Sequence, residues 1–223
     1  MSYLKTALAA SAVAIATTGM ASATIIGATG VVVDAGGSSG GPVAVTIDQT
    51  GLNANYISGT TDFDSFVATT THSFIASTEW FGDFQTNSGQ LTFDLGSAQA
   101  IDAMALWNEE SSGAGTFDLS TSLDGSSYTS LLTGLSGTDH TTLTDYAADV
   151  FTFATTTFRY IRMTMSGCPQ PGIGSYESCA VGEVAFRAGE DVMAPIPLPG
   201  ALPLALSGLF AFGGLQLRKR RKS

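Results

Sequence analysis

Gly89-Gln90-Leu91-Thr92-Phe93-Asp94-Leu95-Gly96 alternates apolar and polar residues between two terminal glycines. Successive side chains of a strand leave on opposite faces, so Leu91, Phe93 and Leu95 share one face while Thr92 and Asp94 share the other. Gly96 predicts the end of that strand. The same period recurs outward from this segment. Ile101, Met104 and Leu106 seed a strand that runs into Trp107-Asn108-Glu109-Glu110. Phe117, Leu119 and Thr121 alternate ahead of a Leu123-Asp124-Gly125 turn and a strand around Tyr128 to Leu132. Phe151 and Phe153 mark a short strand, residues 158–165 place Ile161, Met163 and Met165 on one face, and Val181 to Phe186 closes the series.

Before this block, Val31-Val32-Val33 reads as a strand and Val43 to Ile47 as a further β-like run. Asp48 to Thr71 and Leu135 to Asp149 read as polar and irregular. Gly, Ser and Thr are abundant and Leu, Glu and Lys scarce, so no long helix is expected. Short alternating runs separated by Gly, Asp and Ser turns predict an all-β sandwich.

Both ends of the 223-residue chain fall outside that pattern. Lys5, the apolar run Ala7 to Ala16 and Ala21-Ser22-Ala23 have the layout of a signal peptide over residues 1–23, with signal peptidase as the partner that removes it. A linker and sorting motif over 191–197 precede an uncharged stretch at 198–217, long enough as a helix to span a bilayer. The basic end at 218–223 should stay cytoplasmic, which faces everything before it outward. An ordinary membrane anchor is one reading of this tail. Its Pro-rich signature (Pro197, Leu198, Pro199), short helix and basic cluster also resemble the VPLPA-CTERM variant of the PEP-CTERM sorting signal. That resemblance implies an exosortase-type protease, cleavage of the tail, and delivery to the surface or extracellular matrix of a Gram-negative bacterium.

The body left between these ends, 24–190, is one domain of about 165 to 170 residues, enough for a single core. Counted through Asp191, it keeps three basic residues, Arg159, Arg162 and Arg187, against nineteen acidic ones, a net charge of −16 with no lysine. Such a surface repels phosphate backbones, so nucleic acid is excluded as a partner.

Cys168 and Cys179 flank one loop rich in Gly and Pro. In an exported chain the simplest reading is a disulfide, contributing about 2 to 3 kcal/mol by loop entropy, with metal ligation as the alternative. Catalysis finds little support. His72 and His140 both read as solvated loop residues. Gly37-Ser38-Ser39-Gly40-Gly41 fits a nucleophile elbow only formally, because a β-like run follows it and not a helix. Glu109 and Glu110, adjacent on a strand, should point to opposite faces, which is poor geometry for glycoside hydrolysis.

Four segments in order carry a resemblance: residues 89–96 with the Ile-x-x-Met-x-Leu strand, 117–128, 158–162 and 181–184. Together they resemble the discoidin or coagulation-factor type C domain, a galactose-binding-like jelly-roll β-sandwich, over roughly Ile47 to Arg187. Trp80 stands where that family has an aromatic ahead of its Asp-Leu-Gly strand. The resemblance implies a non-catalytic module that binds carbohydrate through loops at one end of the sandwich, with extracellular polysaccharide as partner. The alternatives are a structural matrix protein without a sugar site and a polysaccharide-acting enzyme.

A sugar site asks for an aromatic face and planar polar groups. Trp107, Asn108 and Glu109 supply both at a strand end, with Arg159 as a further candidate. Trp107 lies out of phase with the buried set, which leaves ligand contact or packing under a loop. Trp80 and Phe81 are expected in the core, and Arg159 and Arg162 either pair with carboxylates or reach a ligand. The family often holds a structural calcium ion, for which Asp62, Asp64 and Glu183 are the matching positions.

Overall fold

The computed structural model describes residues 23–173 and 176–189. All but Ala23 of the expected signal peptide, and the tail from 190 onward, lie outside them. The strands run in chain order as β1 (Ile25–Ile26), β2 (Gly30–Ala35), β3 (Thr71–His72), β4 (Trp80–Phe81), β5 (Ser88–Asn108), β6 (Thr116–Ser122), β7 (Thr129–Leu135), β8 (Tyr146–Ala147), β9 (Asp149–Ser166) and β10 (Ala180–Ala188). One short helix, α1 (Phe63–Val67), precedes β3. Among the described residues no helix is long and apolar enough to cross a membrane.

The sandwich is built by two strands that serve both of its layers. The first half of β5 pairs with the second half of β9, from Ser88↔Ser166 to Asp94↔Tyr160. The second half of β5 pairs with the first half of β9, from Gln99↔Phe158 to Leu106↔Asp149. Between these stretches the register slips, and a bulged strand bends. Gly96 sits in the slip with φ +80°, a backbone state that side-chain-bearing residues rarely adopt. The residue read as a strand end is therefore a corner, and the two strands expected at 90–95 and 101–106 are one. The strands expected separately at 151–153 and 158–165 are likewise merged in β9.

One layer is completed by β2 on one side and β6 and β7 on the other. In the other layer β10 lies beside β5, and β1 and β4 pair with β10. The apolar faces meet in one cluster. Leu91, Phe93, Phe117, Ile161 and Met163 come from the first layer, and Met104, Leu106, Val184 and Phe186 from the second. Phe93 and Phe186 meet edge to face across the layers at 6.2 Å between ring centroids.

The β-like run at Val43 is a 3₁₀ turn, Val43–Thr46. Its polar groups are satisfied locally, with Ile47 N–H donating to Ala44 O and the Thr46 hydroxyl to Val43 O, so it needs no ladder. The segment before β3, read as irregular, covers the outer face of the second layer. Asp62 caps α1 by accepting from Ser65 N at 2.7 Å. Phe63, Phe66 and Val67, on one side of the helix, join a second buried cluster with Ala103, Ala105, Ala185, Trp107 and Tyr146. Arg187 ties this cover down, donating to Asp102 at 2.7 Å and Asp64 at 3.1 Å.

Candidate functional site

The start of β10 is where the ends of several segments gather. Phe81 pairs with Ala180, and Asn108, the last residue of β5, pairs with Val181. The Cys168–Cys179 disulfide is formed, and its return limb is stitched in from both sides. Gly82 N donates to Cys179 O at 2.8 Å, Ala180 N to Ser112 O at 2.9 Å, and the Ser112 hydroxyl to Tyr176 O at 2.7 Å. These bonds hold Tyr176 against Phe81, ring edge to face at 5.5 Å, and within 5.4 Å of Phe84.

An open cleft of about 550 Å³ lies here. Phe74, Phe81, Leu143 and Tyr176 line it together with Glu109, Glu110 and Ser111. Phe74 and Leu143 are 44% and 54% exposed, and neighbouring Phe84 is 56% exposed. Apolar side chains concentrated in this way mark a contact surface.

The carboxylate end of the cleft is the unexpected part. Glu79, Glu109 and Glu110 are all buried, and one oxygen from each lies within 4.8 Å of the others. Alternation does not separate Glu109 from Glu110, because β5 stops at Asn108 and both residues belong to the turn beyond it. Asn108 shapes that turn. Its Oδ1 accepts from Ala114 N at 2.9 Å, and its Nδ2 donates to Gln170 Oε1 at 2.8 Å. Glu109 accepts from Ser111 N at 2.9 Å, from the Ser111 hydroxyl at 2.7 Å and from Ser112 N. Glu79 Oε1 accepts the Tyr146 hydroxyl at 2.7 Å, whereas Glu79 Oε2 and Glu110 Oε2 receive no donor from the rest of the protein.

Burial sets the titration of this cluster. It pushes Glu79 up to about 9, opposed by the Tyr146 hydrogen bond and reinforced by the charges of Glu109 and Glu110 and by a hydrogen bond to Glu110. Glu110 is raised to about 7 by burial and then by the Glu109 charge. Burial also raises Glu109, against the pull of its Ser111 and Ser112 donors.

His72 is not a solvated loop residue. It is fully buried, its Nδ1 2.8 Å from Ser73 O and its Nε2 3.1 Å from Thr50 O, and burial lowers its pKa.

Of the residues expected to touch sugar, Glu109 lines the cleft. Trp107 does not: it is fully buried in the second cluster and donates its indole N–H to Thr70 O at 3.2 Å. The expected stacking face is thus packed under the segment before β3. Asn108 is equally buried and serves as the turn's anchor. Arg159 makes a two-pronged pair with Asp94, both contacts at 2.8 Å, away from the residues that line the cleft.

The expected calcium set does not assemble. Asp62 is the α1 cap, and Asp64, two-thirds exposed, pairs with Arg187. Glu183 stands apart as a fully buried carboxylate. Its Oε2 accepts from Gln49 N at 3.0 Å, and its Oε1 has no partner. Burial raises its pKa, opposed by the Gln49 N–H and aided by Asp48. Among the described residues, the three-carboxylate group close enough to share one ion is Glu79, Glu109 and Glu110.

Phe74, Glu79, Phe84, Tyr146 and Tyr176 were not singled out from the sequence. The one local signal was Phe74-Ile75, two large apolar residues in a polar stretch with no alternation to bury them.

A family model described as the F5/8 type C domain matches residues 68–179, half of the chain. A comparison with curated proteins returned no match. Among solved structures, chitosan-binding module 1 from a chitosanase/glucanase of Paenibacillus sp. IK-5 is similar at 18% identity and a TM-score of 0.48, over 74% of this chain and 97% of that one. The CBM32 of AlyQ, solved with 4,5-unsaturated mannuronic acid, is 24% identical with a TM-score of 0.46, over 73% of this chain and 96% of that one. A CBM32 module produced by Clostridium perfringens, in complex with GlcNAc-α-1,4-galactose, is 17% identical with a TM-score of 0.47, over 78% of this chain and all of that one.

Proposed function

The chain belongs to the F5/8 type C domain family, and from that premise we propose that it is a non-catalytic carbohydrate-binding module displayed outside the cell. The observation that carries this reading is the cleft at the end of the sandwich. Phe74, Phe81 and Tyr176 offer rings to the apolar face of a pyranose, and Ser111 and the carboxylates offer partners to its hydroxyls. The partner is a polysaccharide of the cell's own matrix or of a neighbouring surface.

Export rests on residues 1–23 and sorting on residues 191–223, through signal peptidase and an exosortase-type protease. Mass spectrometry of the protein recovered from its host tests both steps, with a mature start at Thr24 and loss of residues 198–223 as the expected result. A structural calcium ion belongs to the same reading. Glu183 would hold it through the unpartnered Oε1 beside Asp48, without Asp62 and Asp64.

The test is binding to a glycan array and to purified exopolysaccharide, with Phe74→Ala and Tyr176→Ala as variants. Saturable binding weakened at least about tenfold by either variant is expected, since losing one stacked ring is worth about 1.4 kcal/mol or more. A folded protein that stays silent across the array overturns the sugar reading in favour of a structural matrix role.

A further inference from the structure

The geometry points to a second, separate cation site: Glu79, Glu109 and Glu110 bind a divalent ion of the calcium or manganese class at the carboxylate end of the cleft. This goes beyond the sugar reading and does not depend on it.

Three observations converge. The three carboxylates are buried and bring one oxygen each within 4.8 Å of the others. Two buried oxygens, Glu79 Oε2 and Glu110 Oε2, receive no donor from the rest of the protein, although nearly all buried polar atoms in folded proteins are paired. Only a proton shared between the two side chains or a cation can satisfy them. No arginine answers the charge: among the described residues Arg159 pairs with Asp94, Arg162 with Asp34, and Arg187 with Asp102 and Asp64.

Two carboxylates can face each other inside a protein only with a proton or a cation between them. One shared proton leaves two negative charges buried in this group, while a divalent ion leaves one. His72 lies 3.7 Å from Glu79, but its two ring nitrogens face Ser73 O at 2.8 Å and Thr50 O at 3.1 Å and not the carboxylates. The remaining oxygens are already oriented as a metal's ligands require. Tyr146 fixes Glu79, and the Ser111 and Ser112 donors fix Glu109. Glu109 and Glu110 line the cleft, which gives an ion a way in and leaves coordination positions open on that side. An all-oxygen, all-carboxylate set suits hard cations such as calcium, magnesium or manganese.

The experiment is a titration of the chelator-treated full-length chain with calcium and manganese chloride by calorimetry. Terbium luminescence sensitised by Tyr146 and Trp80 runs alongside it. Saturable uptake is expected, weakened at least about tenfold in Glu79→Gln and in Glu110→Gln but retained in Glu183→Gln. Circular dichroism establishes that each variant is folded. Should a variant fail to fold, the ion-induced rise in melting temperature of the parent chain, compared with that of Glu183→Gln, decides the matter. A rise kept in Glu183→Gln supports the site, and a rise lost there overturns it. A folded chain that takes up no ion, or uptake unchanged in both Glu79→Gln and Glu110→Gln, overturns it as well and leaves a shared proton as the occupant.

Discussion

The Tyr146 hydroxyl donates to Glu79 Oε1 at 2.7 Å, with both side chains buried. This bond joins the short strand β8 to the residue before β4 and supplies one of the few donors to a buried carboxylate cluster. Tyr146→Phe removes the donor and leaves the acceptor behind, which costs about 1 to 3 kcal/mol. Urea unfolding should show that loss. The same substitution should raise the Glu79 pKa further, because the hydrogen bond that opposes burial is gone.

The carboxylate cluster makes stability depend on pH in a defined direction. An acid whose folded pKa is raised binds its proton more tightly when folded, so stability is present in full below the unfolded value and is lost as pH climbs through the folded one. For Glu110 that window runs from 4.5 to about 7, and for Glu79 from 4.5 to about 9. Thermal melts in chelator should therefore fall between pH 5 and 9. Glu79→Gln should flatten the slope, and a bound divalent ion should offset it.

Trp107 and Phe74 should separate stability from binding. Trp107→Ala opens a cavity in the second buried cluster and costs about 3 to 5 kcal/mol in denaturant unfolding. Phe74→Ala removes a ring that is 44% exposed and should change stability by no more than about 0.5 kcal/mol while weakening glycan binding. An unstable Phe74→Ala variant would contradict its placement at the surface.

Replacing Cys168 and Cys179 together by serine should lower stability by about 2 to 3 kcal/mol. The return limb of that loop also holds Tyr176 against Phe81. Glycan affinity should therefore fall further than it does for a distant variant of equal stability, a comparison that calorimetry on both proteins makes directly.

The architecture was legible wherever a short stretch of chain carried it. Leu91, Phe93 and Leu95 are buried as their alternation predicts, and Ile161, Met163 and Met165 likewise. Cys168 and Cys179, eleven residues apart, pair as their loop suggested. The misreadings occurred where a local rule met a distant partner. Gly96 reads as a stop and is a bend, because β9 is there to continue pairing beyond it. Val43 to Thr46 has strand-forming side chains and no strand to pair with.

Side-chain period and loop length are properties of neighbouring residues, so the alternating faces of the strands, the disulfide and the acidic balance could be read along the chain. The site could not be read that way. Trp107 is out of phase with the core on any reading, but whether it meets ligand or protein depends on where α1 lies, and α1 lies over it. Glu79 stands thirty residues before Glu109, and nothing in either neighbourhood announces that their carboxylates meet. They converge because β10 pairs with both β4 and β5 and so brings the ends of two distant strands to one place. Convergence of that kind follows from strand order, which local composition does not encode.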